Sequence, residues 1–239
     1  MMRLHYAPGS AHSAAVRIAL AEKGQAPELH KLDLVHFEQH TPEYLAINCH
    51  GTVPFLEDAG RRLFDSFAIL EYLDETHPEP LLIGGDPRQR YIARKWGKYV
   101  ETHIAPHLAI VRWAALGGRM PDAARAGLAR LLPEREALWR RALEGFGADQ
   151  LEASTRAMLT AGERLAADLQ GNAWLAGERF TLGDVAVYPH VAQFATLGLP
   201  VPAAVEQWLG RVAARPSVEG IREDLFPVAV MGPEPGRWG

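Results

Sequence analysis

The run Thr76-His77-Pro78-Glu79-Pro80-Leu81-Leu82-Ile83-Gly84-Gly85-Asp86-Pro87 constrains the fold of this chain more than any other stretch. Its prolines and glycines break both the helical and the strand period, so it reads as a linker. Every strand candidate precedes it and every segment after it carries helical spacing. Strands confined to the first third of a chain point to a mixed α/β domain followed by an all-helical one. The expected division is residues 1–82, residues 88–225, and a Pro/Gly-rich tail over 226–239. A chain of 239 residues is long enough to bury a core in each part without metal or disulfide support.

In chain order, Arg3 to Tyr6 predicts a short strand. Ala7-Pro8-Gly9-Ser10 is turn material before a helix from about Ser13 to Lys23, with Gly24 at the left-handed cap position. Glu28 to Leu34 alternates weakly as a strand, and a polar loop from Val35 to Pro42 precedes a helical turn, Glu43 to Ile47. Phe55 to Glu57 and Arg62 to Phe64 read as a hairpin around Ala59-Gly60, followed by a helix from Ser66 to about Glu75. Beyond the linker, helices are expected over Arg88 to Ala115 with a kink at Pro106, Pro121 to Phe146 with a break at Pro133, Asp149 to Leu169, Thr181 to Ala195, and Ala203 to Ala214. Thr181-Leu182-Gly183-Asp184 has capping-box spacing, and losing either end of it costs about 1 kcal/mol or more.

The chemistry concentrates at Asn48 to Asp58 and at Asp65-Ser66. Pro54 opens a strand without an N–H for the ladder, and Val53 before it keeps its own N–H and C=O for a partner. Asp65 and Ser66 stand where a helix begins, with unpaired N–H groups aimed at a carboxylate. Together these parts describe a backbone site for a small peptide.

Composition narrows the class further. The net charge of −4 and the lack of a basic stripe argue against a nucleic-acid partner. The weakly polar region Val185 to Val205 is interrupted by Pro189, His190, Gln193, Pro200 and Pro202, so no membrane span is expected. One cysteine, Cys49, permits no internal disulfide, and no Cys/His grouping has zinc spacing, so no metal is expected. Together with the lack of a signal-like start, this reads as a cytoplasmic protein, and Cys49 reads as a packed turn residue.

Four features in order resemble the cytosolic glutathione transferases: Gly9-Ser10 before Val16 to Gly24, the Asn48 to Pro54 turn, Asp65 to Leu73, and Phe180 to Ala186. The resemblance implies a thioredoxin-like first domain with a mixed sheet, an all-helical second domain, a homodimer, and an active site between the domains. By the same likeness Val53 pairs with the cysteinyl backbone of glutathione, and Pro54 is the cis-proline. Asp65 and Ser66 hold the γ-glutamyl end, and Gln39, with His40 as a second candidate, meets the glycyl end. The family more often has Glu at the position of Asp65 and Pro at that of Cys49.

Ser10 matches the catalytic serine of theta- and zeta-like classes. A hydroxyl near a helix start favours a thiolate by donating to sulfur in a positive potential. Helix capping is the commoner use of such a serine, and Ser13 and His12 remain alternatives for the thiol. His12 also reads as a solvated loop residue, and Tyr6 as structural. Relatives that use cysteine carry it at Ser10 or near His12, so thiol–disulfide exchange is not expected. The zeta-like Ser-Ser-Cys run is Ser10-Ala11-His12 here, which weakens an isomerase reading. His12, His103, His107, Ile110, Val111 and Trp113 are candidates for the second-substrate pocket, and the tail Phe226 to Trp238 for its closure. The expected activity is conjugation of the glutathione thiolate to small, partly apolar electrophiles. The open alternatives are glutathione-dependent isomerisation of maleyl compounds, dehalogenation, or a non-catalytic binding module.

Overall fold

The computed structural model describes residues 1–115, 127, 128, 131 and 133–225. Four strands form one sheet in the order β2-β1-β3-β4: β1 (Met2–Tyr6), β2 (Glu28–Lys31), β3 (Phe55–Asp58) and β4 (Arg61–Phe64). β1 runs parallel to β2, with Leu4 opposite Leu29, and antiparallel to β3, with Leu4 opposite Leu56. The parallel pair requires a crossover, which α1 (Ala11–Glu22) supplies. Ser10, in extended geometry, accepts from the Ser13 N–H, so α1 starts two residues before the predicted Ser13. It ends at Gly24, whose φ of +63° is the left-handed conformation its glycine predicts. β2 stops at Lys31 rather than Leu34, because the Asp33 carboxylate takes the Val35 and His36 N–H groups into a turn. The β3–β4 hairpin turns through Ala59 and Gly60, both at positive φ.

The remaining elements are helical: α2 (Pro42–Ile47), α3 (Ser66–Thr76), α4 (Pro87–Tyr99), α5 (Ala105–Ala115), α6 (Pro133–Glu144), α7 (Ala148–Leu169), α8 (Leu182–Val191), α9 (Ala203–Ala213), α10 (Pro216–Glu219) and α11 (Arg222–Leu225). The irregularity near the kink expected at Pro106 is a π turn over Val100–Ile104. Pro106 falls in the first turn of α5, where a proline is tolerated. The start of the helix predicted from Pro121 and the tail 226–239 lie outside the described residues. No helix among the described residues is long and apolar enough to cross a membrane.

One apolar core runs through both halves, joining Leu4, Val16 and Ile69 to Trp96, Leu165 and Trp208. α1 packs on α3 and α8, and α4 on α8. The linker is fastened rather than loose. Asp74 at the end of α3 accepts from the Leu82 and Ile83 N–H groups and from the fully buried Lys23 ammonium, which also donates to Pro80 O. Leu82 O in turn accepts from the Leu182 N–H at the start of α8.

Gly97 lets α4 approach α3: a Cβ there would lie 2.3 Å from the Phe67 ring. Gly97→Ala therefore loses about 1–3 kcal/mol, because this clash outweighs the helix-propensity gain of about 1 kcal/mol. A melting temperature equal to or above wild type would refute that contact.

Candidate functional site

Two helix starts meet at one end of the sheet. β1 delivers the chain to Ser10 and α1, while β4 delivers it to Asp65 and α3. The His12 Nδ1–Ser66 Oγ contact of 2.9 Å ties the two starts together. Asp65 (φ +71°) caps α3 by accepting from the Ala68 N–H. The Ser66 and Phe67 N–H groups, one turn before the helical ladder begins, have no acceptor among the described residues. Such an end suits an anion.

The turn before β3 is built by Asn48. Its side chain is buried, accepts from the His50 N–H and donates to Thr52 O, which also accepts from the Tyr44 hydroxyl. With Thr52 O held from two sides, the next residue is set in direction. Val53 precedes a cis bond to Pro54, and its N–H and C=O have no hydrogen-bond partner among the described residues. Gln39 is buried at 5% exposure, yet its Oε1 has no partner among the described residues. Gly51 permits the close approach of this loop, since a Cβ there would lie 2.7 Å from His40 Nδ1 and 3.0 Å from Gln39 O.

Of the two serines near the start of α1, Ser13 is completely buried and accepts from the Ala7 N–H at 3.4 Å. Ser10 is half-exposed, and its hydroxyl accepts from Ser13 N–H at 3.2 Å. That hydroxyl's own proton has no acceptor among the described residues, so capping and donation to a sulfur are compatible uses of the same oxygen. Tyr6 is buried in the core under the Arg17 guanidinium, 4.7 Å from its ring.

Two expectations are corrected. His12 is not a solvated loop residue: it lies in the first turn of α1, hydrogen-bonded to Ser66 and edge-on to His190 at 4.6 Å. Cys49 is exposed rather than packed. The pocket candidates of the π turn and α5 have these surroundings. His103 is exposed and stacked on Tyr99, His107 meets Ser154 of α7 at 3.1 Å, Val111 is in the core, and Ile110 is half-buried. The residue of α5 that reaches the Ser10 loop is Arg112, whose Nη1 donates to Gly9 O at 3.3 Å. Trp113 meets Trp139, which meets Phe37 two residues before Gln39.

Sequence reasoning missed Arg112, Glu101 and His190. Burial raises the Glu101 carboxyl, and the neighbouring Asp65 raises it further. Two carboxylates at the start of α3 suit an ammonium group. His190 is buried, its Nδ1–H donates to Ala186 O, and its Nε2 is unpartnered among the described residues. Burial lowers the pKa of His12, and that of His190 well below the ordinary value, the latter helped by His12 and Arg112.

A histidine with a depressed folded pKa binds fewer protons folded than unfolded. Stability is therefore intact above about pH 6.5 and lost as pH falls through the folded values. Thermal melts from about pH 8 to pH 5 show a Tm that falls on acidification. His190→Asn, which keeps a donor for Ala186 O, flattens that fall; an unchanged slope would show that His190 is not its source.

One end of the sheet thus brings together a backbone pair and a helix start without partners among the described residues and a half-exposed hydroxyl. Residues 4–81 match the family model of the glutathione S-transferase N-terminal domain, and residues 122–224 that of the C-terminal domain. Protein LigF of Sphingobium sp. (strain NBRC 103272 / SYK-6) is 29% identical, with 92% of this chain and 94% of LigF covered. A maleylacetoacetate isomerase of Rhizobium meliloti (strain 1021) is 33% identical over 76% of each chain. The crystal structure of beta-etherase LigF from Sphingobium sp. strain SYK-6 matches with a TM-score of 0.83 at 26% identity, covering 93% of this chain and 98% of that one. The chain belongs to the glutathione S-transferase family.

Proposed function

We propose that this protein is a glutathione transferase in which Ser10 stabilises the thiolate for attack on a small electrophilic carbon. The observation that carries this reading is the half-exposed Ser10 hydroxyl at the start of α1, with its proton unassigned and Ser13 buried behind it. In this reading the glutathione backbone pairs with Val53, its γ-glutamyl carboxylate takes the Ser66 N–H and hydroxyl, and its ammonium lies by Asp65 and Glu101. Gln39 and His40 face the glycyl end. His12 then carries its proton on Nδ1 and donates to Ser66, leaving the serine proton for the carboxylate. Sulfur forms a bond to carbon, the leaving group departs with the electron pair, and Ser10 keeps its proton while donating to sulfur.

The second substrate meets α5, and the Trp113–Trp139–Phe37 aromatic series favours a flat, partly apolar one. The likeness to beta-etherase LigF favours an ether as the electrophile, its carbon–oxygen bond breaking as the carbon–sulfur bond forms. The isomerase relative supports a second reading, in which glutathione adds to and leaves a maleyl compound. The reading includes a homodimer, cytoplasmic location and the division at 82 and 88. A screen of aryl ethers, halogenated compounds and maleyl acids with glutathione tests it. A thioether product supports transfer, isomerised acid with glutathione returned supports the second reading, and no turnover of any class contradicts both.

A further inference from the structure

Among the described residues, the charges around the Gly9-Ser10 loop do not cancel. The Gly9 N–H donates to Asp224 O at 2.7 Å, and its carbonyl accepts from Arg112, so the loop is gripped from α11 and α5. The Asp224 carboxylate is taken by Arg17, in an ion pair that closes on itself. His190 of α8 lies within reach of the Arg112 charge, and burial lowers the pKa of both His190 and its neighbour His12 of α1. Asp65 and Glu101 lie by Ser66, at the start of α3, with Lys98 on Glu101. Arg112 thus has no carboxylate partner among the described residues, and burial disfavours its charge. A guanidinium does not discharge at neutral pH, so it remains a cation beside the loop. A buried cation without a partner favours any anion that forms next to it.

We propose that Arg112 is a positioning residue for the thiol chemistry, holding the Ser10 loop through Gly9 O and supplying the unbalanced positive charge that favours the thiolate. This rests on the transferase reading above, in which that anion is the sulfur of glutathione beside Ser10. No atom is transferred to or from Arg112; its effect is on the proton equilibrium of the thiol.

The test titrates the thiolate absorbance of glutathione bound to wild type, Arg112→Gln and Arg112→Lys, with glutathione affinity measured on each by calorimetry. Glutamine keeps a donor for Gly9 O without the charge, and lysine keeps the charge. In wild type the bound thiol has a pKa below the ordinary value of about 8.5. In Arg112→Gln it rises by about one unit, a tenfold fall in the thiol's ionisation constant, with affinity within about threefold. In Arg112→Lys it stays within about 0.3 unit of wild type. Arg112→Met, filling the same space without charge, gives the same rise where the glutamine variant is unstable. A wild-type value in Arg112→Gln or Arg112→Met overturns the inference, as does an equal rise in the lysine variant. Failure of the wild type to bind glutathione overturns the transferase reading itself.

Discussion

In Ser10→Ala, turnover with an accepted electrophile falls by about 10²- to 10³-fold at neutral pH, the scale of losing one preorganised donor to a developing or resident anion. Glutathione affinity stays within about threefold, because in the proposed reading the tripeptide is held at Val53, Ser66 and Gln39. The same change removes the cap of α1, which accepts from Ser13 N–H, and costs about 1 kcal/mol of stability. The two effects separate by measurement: a rate loss that persists well below the melting transition belongs to the thiol. Turnover that is unchanged, with an unchanged thiol pKa, assigns Ser10 to capping alone and moves the thiolate donor to a backbone N–H of the α1 start.

Asp184→Ala unfolds the protein more readily than any other single change considered, by about 3–5 kcal/mol. The carboxylate is fully buried and accepts from four donors: Leu175 N–H, Thr181 N–H, the Thr181 hydroxyl and Trp208 Nε1–H, all within 3.1 Å. Burial raises its pKa, against the pull of those donors. Removing it leaves four buried donors unsatisfied, well beyond the loss of one cap. It also cuts one of the ties between the segment before α8 and α9, since Asp184 accepts from both Leu175 and Trp208, and leaves Arg211 Nε–H on Ala173 O as another. Asp184→Asn, able to accept at one oxygen, loses less. Denaturant unfolding that gives under about 1 kcal/mol for Asp184→Ala would contradict this account.

The contrast between capping and clustering marks what the sequence could reveal. Gly24, Asp65-Ser66, Thr181 and Asp184 act within a few residues of themselves, and their roles as stops and starts were legible from spacing. The Asn48 to Pro54 turn was legible for the same reason. Asp184's reach to Trp208 was not, because a capping box fixes only its own first turn. Neither was the end of β2, where Asp33 captures two N–H groups against a continuing hydrophobic alternation. At the site, His12 looked solvated because its partner Ser66 lies 54 residues away. Arg112 carries no local signal at all: it is one arginine on an apolar helix, and only the fold brings it to Gly9, 103 residues earlier. For His103 and His107 spacing was a weak guide for the mirror reason. Helical spacing groups residues on a face but does not say which face meets the site, and the π turn before α5 shifts that register.

Calorimetric titration with glutathione tests the central claim most directly. The account predicts saturable binding of one glutathione per chain with a Kd at or below about 1 mM, about −4 kcal/mol or better, weakened about tenfold in Ser66→Ala. No saturable heat at several millimolar glutathione, from a folded protein, would contradict it.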